Sequence, residues 1–346
     1  MRRRFLGKSN LETSVIGMGC WSFGGGAYWG AQNQRDVDNT VAMALDAGIN
    51  FFDTAEMYNE GASEESLGIA LKGRRNKALV CSKISPENAF RDTMAEHCKA
   101  SLRRLDMEYL DLYMLHWPLD TLPSDAAKET VKRPSIEEAF EAMARLKQEG
   151  LVRNIGVSNF GARQLAEAIR YCDEIVCNEL TYNILSRAIE KEIIPLCEEK
   201  GIGIIAAMTL QQGLLAGIYD SPEDVPQSVA RSRHFHHARG NGTSRHGLAG
   251  EEEETFRVIA ELKGVAEEMG VSAAELSAAW VIARSGVECA LVGSRDTAEL
   301  KDNLKAAELI LDPSVTEKID ELSEPLLRRL GYNPDYYENE RNARIR

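Results

Sequence analysis

The sequence predicts an α/β protein in which eight parallel strands, each followed by a helix, close into a (β/α)8 barrel. Three observations predict it. Short apolar runs alternate with amphipathic stretches nearly to the C-terminus. Most of those runs are rich in Val, Ile, Leu or Phe and lack period-two alternation, the pattern of strands covered on both faces. The chain has 346 residues, 44% of them hydrophobic, and no Pro- or Ser-rich linker divides it. Residues 1–346 are therefore expected as a single barrel domain rather than two smaller ones.

The elements follow in order. Residues 4–14, around Gly7-Lys8-Ser9-Asn10, read as an N-terminal β-hairpin that plugs the barrel bottom. Strands are expected at residues 15–20, 49–53, 78–82, 110–116, 154–157, 175–178, 203–207 and 290–292. Between them, Val37, Val41 and Leu45 share one helical face, and Gly48 stops that helix. Ser63 is expected to cap the next helix, with Glu64 and Glu65 at its positive end. Met94, Cys98, Leu102 and Leu105 mark a third. Ser135 with Glu138 forms a capping box before Phe140 and Met143, and Gly150 follows that helix. Ser272 with Glu275 repeats the signal before the helix that carries Trp280. Repeated β-then-α units imply parallel strands joined by right-handed crossovers, and eight of them close a TIM barrel.

Residues 220–250 break the pattern. They are polar, contain Pro222 and Pro226, and hold the run His234-Phe235-His236-His237-Ala238-Arg239-Gly240-Asn241-Gly242. A stretch of this length is expected to be a lid or a flexible loop. Its histidines have no carboxylate or cysteine at ligand spacing, so no metal is expected. Residues 326–346, rich in Tyr and Arg, either reach the barrel rim or form a solvated tail.

Charge and composition narrow the function. A net charge of −13 argues against a general nucleic-acid binder, because phosphate neutralisation needs clustered Lys and Arg. The start Met1-Arg2-Arg3-Arg4-Phe5-Leu6-Gly7 is basic, but no apolar run of signal-peptide length follows it, and no stretch is long enough to cross a membrane. The seven cysteines include no CxxC pair, and several sit in apolar, strand-like runs. They read as free buried thiols in a reducing compartment, so a cytoplasmic protein is expected.

The strand ends carry the chemistry. The second strand runs out into Phe51-Phe52-Asp53-Thr54-Ala55-Glu56-Met57-Tyr58, the third ends Cys81-Ser82-Lys83, and the fourth ends Met114-Leu115-His116-Trp117-Pro118. In a barrel these C-terminal ends share one rim, where active sites form. Asp53, Tyr58, Lys83 and His116 can therefore converge. Reducing a carbonyl needs a hydride on carbon and a proton on oxygen. A phenol titrates near pH 10, too high for easy proton return, and a neighbouring ammonium lowers that value. A carboxylate would hold the Lys charged, and a neutral His can bond and orient the substrate oxygen.

The string Gly48-Ile49-Asn50-Phe51-Phe52-Asp53-Thr54-Ala55-Glu56-Met57-Tyr58 resembles the signature of the aldo-keto reductase superfamily. So do Lys83, His116-Trp117-Pro118 and Gly156-Val157-Ser158-Asn159-Phe160. Within the superfamily the chain is similar to bacterial enzymes related to the potassium-channel β subunits, through Trp21-Ser22-Phe23-Gly24-Gly25, Ser63-Glu64-Glu65 and Gly213-Leu214-Leu215-Ala216-Gly217. The resemblance covers nearly the whole chain. It implies an NAD(P)-dependent oxidoreductase acting on a small carbonyl or alcohol, a sugar or polyol among them. Tyr58 would be the general acid/base, Lys83 its modulator, Asp53 the partner of Lys83, and His116 the substrate-orienting group. Trp21, Trp29 and Trp117 would join Tyr58 and His116 in the substrate pocket.

The same resemblance implies the cofactor site. Gly19, Cys20, Trp21 and Asp53 would border it, with Ser158 and Asn159 at the nicotinamide carboxamide. Glu179 stands where relatives usually carry Gln for that amide, and an ionised carboxylate accepts from it but cannot donate. Ala207, in Ala206-Ala207-Met208-Thr209-Leu210, stands where relatives stack an aromatic ring. Leu210, Gln212, Gly213, Leu215 and Gly217 resemble the pyrophosphate segment, where Gly lets the backbone approach an anion. Gly293, Ser294, Arg295, Glu299 and Asn303 resemble the adenosine end. Arg295 suits a 2′-phosphate, whereas the charge of Glu299 opposes it. NADP(H) is the expected cofactor, with NAD(H) as the alternative.

Rival readings fare less well. Gly17-Met18-Gly19-Cys20-Trp21-Ser22 starts a dinucleotide fingerprint but lacks its last Gly and a following helix. A metal-dependent hydrolase would need a His-x-His pair or clustered carboxylates on the early strands, and these are missing. The alternative from a different class is a redox-sensing nicotinamide-binding module that turns over slowly and acts through a protein partner.

Overall fold

The computed structural model describes residues 1–121 and 133–346. Eight strands form a closed barrel of parallel neighbours in the order β10-β3-β4-β5-β6-β7-β8-β9. They are β3 (Ile16–Gly19), β4 (Phe51–Asp53), β5 (Leu79–Ile84), β6 (Leu110–Leu115), β7 (Val152–Ser158), β8 (Ile175–Thr181), β9 (Gly203–Ala207) and β10 (Val287–Gly293). All eight match expected strands. The later ones extend past the expected runs, because Ser158, Glu179 and Thr181 are polar yet still pair in the sheet. Against β7, strand β8 carries one extra residue, since Ile155 faces Ile175 while Val157 faces Asn178. Such a bulge re-aims the side chains that follow it, and Ser158 then pairs with Glu179.

Helices α1 (Gln34–Asp46), α2 (Ala62–Leu71), α3 (Met94–Leu105), α4 (Ile136–Gln148), α5 (Ala162–Tyr171) and α6 (Ile193–Lys200) cover the first half. They are followed by α7 (Glu252–Met269), α8 (Ala273–Ala283), α9 (Thr297–Ala306) and α10 (Pro313–Leu330). The caps read from sequence are present at α4, where Ser135 accepts from the Glu138 amide, and at α8, where Ser272 and Glu275 bond reciprocally. The cap expected at Ser63 is not. Helix α2 starts two residues earlier, from Gly61 at φ +92, a left-handed conformation that suits glycine. Ser63 Oγ instead donates to the Cys20 carbonyl at 2.7 Å. Glu64 is buried rather than exposed at the helix end, accepting from Ser82 at 2.5 Å and from Arg104 at 2.6 Å.

Two apolar layers hold the barrel. One lies between strands and helices; the other fills the interior with Phe51, Cys81, Leu112, Met114, Cys177 and Ile205. The hairpin of β1 (Arg3–Phe5) and β2 (Glu12–Ser14) adds Leu6 and Leu11 to that inner layer, closing the barrel bottom. Gly7 permits the fit. Its φ is +52, and a Cβ there would stand 2.4 Å from the Val176 carbonyl oxygen. All seven cysteines are buried and unpaired by disulfides, and among the described residues no helix is long and apolar enough to cross a membrane.

Residues 220–250, expected to be a lid or a flexible loop, form short turns locked to the chain's end. Arg233 donates to the carbonyls of Leu330 and Asn333 at 2.5 and 2.6 Å, and its amide donates to Tyr336 O at 2.7 Å. His234 is fully buried, bonded through its ring to Ser232 and to Leu185 O, and stacked on Tyr336. The polarity that suggested a free loop is thus satisfied by partners far away in sequence. The terminal segment after α10 is not a solvated tail either. It crosses the rim and is pinned where Gln164 donates to Arg344 O and accepts from the Arg346 amide.

Leu6→Ala is expected to lower stability by about 2–5 kcal/mol in urea denaturation, because it opens a cavity in the inner layer. A loss below about 1 kcal/mol would mean that the hairpin does not support the barrel.

Candidate active site

The rim brings together the side chains read from sequence. Asp53 ends β4, Lys83 lies near the end of β5, and His116 follows β6. Tyr58 opens a short turn after β4, residues Tyr58–Gly61, with Asn59 and Glu60 in left-handed conformations. Asn59 anchors that turn by donating to the carbonyls of Trp21 and Phe23 at 2.9 and 2.8 Å.

Lys83 is completely buried. Its Nζ donates to Asp53 Oδ1 at 2.5 Å, to Thr54 O at 3.2 Å and to the Tyr58 hydroxyl at 3.4 Å. Glu179 Oε1 also lies 3.4 Å from it. Burial alone would strip the ammonium of its proton, but the two carboxyls hold its pKa well above the ordinary value. One cation thus faces two acids. Burial raises the pKa of Asp53 and Glu179, and the charge of Asp53 raises that of Glu179 further. Like charges this close favour one shared proton. Asp53, with the short contact to Lys83, keeps its charge, and Glu179 carries the proton, its carboxyl pushed up to about 8. A protonated Glu179 can donate as well as accept.

The phenol of Tyr58 departs from expectation. Lys83 was expected to lower its pKa, yet burial outweighs that pull and leaves the pKa above the ordinary value. The charge of Asp53 opposes the pull of Lys83 further. Burial, followed by Lys83, pushes His116 well below the usual imidazole range, so its ring is neutral. Its Nδ1 is buried with no hydrogen-bond partner, and its ring meets that of Tyr58 edge-on at 5.5 Å.

A cavity of about 300 Å3 opens over these groups. Tyr58, His116, Ser158, Asn159 and Glu179 line its inner part, with Ala207 and Met208 beside them. Asn159, at φ +62, donates to His116 O and to Ser158 Oγ, each at 3.0 Å. No ring stands at position 207, where the small Ala207 leaves the wall open. Trp21 and Trp117 line the cavity, but Trp29 does not; it braces Trp21 edge-on at 5.1 Å. Cys20 is fully buried, and its amide and carbonyl are taken by Asp53 O and Ser63, which withdraws it from the cavity.

Beside the cavity, residues Gln211–Ala216 make a tight turn with Gln211, Gln212, Gly213 and Gly217 in left-handed conformations. Leu215 is buried, Leu210 half-buried, and Gln212 spans two tyrosines, donating to Tyr28 Oη at 2.6 Å and accepting from Tyr337 Oη at 3.2 Å. Farther out, beyond Gly19 and Gly293 on the paired strands β3 and β10, Asn303 donates to Gly293 O and Ser294 Oγ. Glu299 accepts from the Arg295 amide at 2.8 Å rather than pairing with its guanidinium, which donates to Gln32 and Ala31 O. Sequence reasoning missed Tyr28, Arg231, Arg245, Asp335, Tyr336, Tyr337 and Arg344, which border this region from three distant segments. The only sequence signal was the Tyr- and Arg-rich composition of the C-terminal segment.

The model of the aldo/keto reductase family matches residues 15–324. The chain belongs to this family of oxidoreductases. A probable voltage-gated potassium channel β subunit of Oryza sativa is 30% identical over 342 residues, spanning 92% of this chain and 96% of that protein. The glycerol dehydrogenase of Gluconobacter oxydans superposes with a TM-score of 0.77 at 26% identity, covering 96% of this chain and 97% of that one. An aldo/keto reductase from Klebsiella pneumoniae, solved with NADP and acetate, superposes at 0.69 with 25% identity, covering 100% and 99%. Among the described residues of this family member, no three His, Cys, Asp or Glu side chains are grouped to hold a metal ion. His234 and His246 are structural, and burial lowers both rings to about 4.

The shared proton makes a signed prediction. An acid raised in the folded state contributes stability below its unfolded pKa, lost as pH rises from there through the folded value. Wild type should therefore lose stability between about pH 4.5 and about pH 8 through Glu179. Glu179→Gln removes that loss, so urea titrations should show the variant gaining on wild type by up to about 1.4 kcal/mol per pH unit across this window. Parallel pH profiles would sink the shared-proton assignment.

Proposed function

We propose that the chain is an NADP(H)-dependent oxidoreductase that interconverts a small carbonyl and its alcohol, a sugar or polyol among them, with Tyr58 as general acid/base. The observation that carries this reading is the buried Asp53–Lys83–Tyr58 array with a neutral, unpaired His116 beside it. Family membership and the NADP-bound relative support the cofactor.

The residues present fit a dinucleotide. Glu179 Oε2 is buried with no partner and lies in the cavity wall with Ser158 and Asn159. A carboxamide would satisfy these groups by both donating and accepting. Gly213 holds its turn open, with no atom within 3.4 Å of where a Cβ would stand. Arg295 lies where a 2′-phosphate would sit by family resemblance, and Glu299 bonds its backbone amide rather than its guanidinium. That supports NADP(H) over NAD(H).

When bound, the nicotinamide supplies hydride to the carbonyl carbon. The remaining chemistry falls to the chain. Neutral Tyr58 donates its phenolic proton to the developing alkoxide. Lys83, 3.4 Å away, stabilises the phenolate left behind. Asp53 and Thr54 O fix the ammonium in place. His116 bonds the substrate oxygen and sets its angle to Tyr58. Trp21 and Trp117 wall the site against bulk water.

Tyr58→Phe is expected to cut the turnover of small aldehydes with NADPH, followed at ~340 nm, by about 10²- to 10⁴-fold. The affinity for NADPH, titrated by fluorescence, should change less than about threefold, because the phenol meets substrate rather than dinucleotide. Turnover that survives the substitution would overturn the assignment, and so would failure to bind NADPH.

A further inference from the structure

We propose that the cavity over Tyr58 selects substrates bearing an anionic group, a carboxylate or a phosphate, through Arg231. The inference rests on the reductase reading above and narrows its substrate class.

Arg231 lines the same cavity as Tyr58 and His116. Its guanidinium lies 5.2 Å from the ring centre of Tyr28 and 5.9 Å from that of Tyr337. Its Nε is buried without a hydrogen-bond partner. The other two cations of the wall are satisfied. Arg245 pairs with Glu338, while Arg344 holds Asp335 at 3.0 Å and Glu338 at 3.5 Å and covers the Trp117 ring at 3.8 Å. The carboxyl oxygens of Asp335 accept from the Tyr337 amide and from Arg344, and those of Glu338 from Arg245 and Asn342. Among the described residues Arg231 has no carboxylate in an ion pair. The mouth therefore carries one uncompensated positive charge, on a chain whose net charge is −13.

A guanidinium held between aromatic rings loses water and keeps its planar fork of donors, a shape that matches carboxylate and phosphate oxygens. An aromatic floor connects the fork to the proton donor. The Trp21 ring lies 6.0 Å from that of Tyr58 and stacks on Tyr28 at 5.1 Å. A small molecule lying along this floor, with its carbonyl at Tyr58 and His116, has its far end toward Arg231. An acidic group there meets the free fork; an uncharged one leaves a half-desolvated cation unpaired, which costs affinity.

The test compares substrates that differ only at the far end: 4-carboxybenzaldehyde against its methyl ester, and glyceraldehyde 3-phosphate against glyceraldehyde, each with NADPH. Wild type should favour the anion in at least one pair, and the pair with the larger preference assigns carboxylate or phosphate. In Arg231→Gln the ratio of kcat/KM for anion over neutral partner should fall about 10- to 100-fold, carried by KM. Arg231→Lys, which keeps the charge but not the fork, should give an intermediate ratio and guards against misfolding of the first variant. A wild type with no preference for either anion, or a ratio unchanged in Arg231→Gln, overturns the proposal. Should no aldehyde turn over, quenching of tryptophan fluorescence by terephthalate separates the two readings. Saturable quenching that is lost in Arg231→Gln sustains the anion site although the reductase reading has failed, and absence of quenching in wild type overturns the site as well.

Discussion

A lysine ammonium with no exposure to solvent sits inside the upper barrel, and much of the rim is arranged around that fact. Removing such a cation from water costs several kcal/mol unless excellent partners surround it. Asp53 on β4, Glu179 on β8 and the Thr54 carbonyl supply them. This requires that three strands present inward-facing residues at one height. The barrel's closure and stagger provide it, as does the bulge that sets Ser158 opposite Glu179. The same arrangement brings the Tyr58 hydroxyl next to the charge. The polar cluster is therefore at once the costliest part of the core and its chemical centre.

The second acid changes the character of that cluster. With one carboxylate the ammonium would project most of its field on the phenol. Here burial outweighs the pull of Lys83, so Tyr58 stays protonated, and the second acid is held in its neutral form with a proton on Glu179. A neutral Glu179 presents a donor and an acceptor, much as an amide side chain would. The replacement of Gln by Glu at this position is thus chemically smaller than the formal charges suggest.

The mouth is built by a different principle. Residues 220–250 and the C-terminal segment carry too few apolar side chains to pack alone, and they stabilise each other. Arg233 bonds the backbone of the terminal segment, Arg245 reaches Glu338, and His234 stacks on Tyr336. Polar chains of this kind order only when most of their buried donors find acceptors. The pairings leave Arg231 over, facing the cavity.

The strand runs, the hairpin at the barrel bottom, the caps at Ser135 and Ser272 and the inner residues Asp53, Tyr58, Lys83 and His116 were legible in the sequence by itself. They depend on local periodicity and on the rule that strand ends of a barrel share a rim. The role of Ser63 was not legible, because Gly61 starts the helix and a carbonyl across the rim claims the hydroxyl. Nor were the protonation of Glu179 or the raised pKa of Tyr58, since burial and the distances among several strands set both. Least legible were Tyr28, Arg231 and Tyr337. They come from segments about 100 to 300 residues apart, and only the tertiary structure decided which of the mouth's cations would be left unpaired.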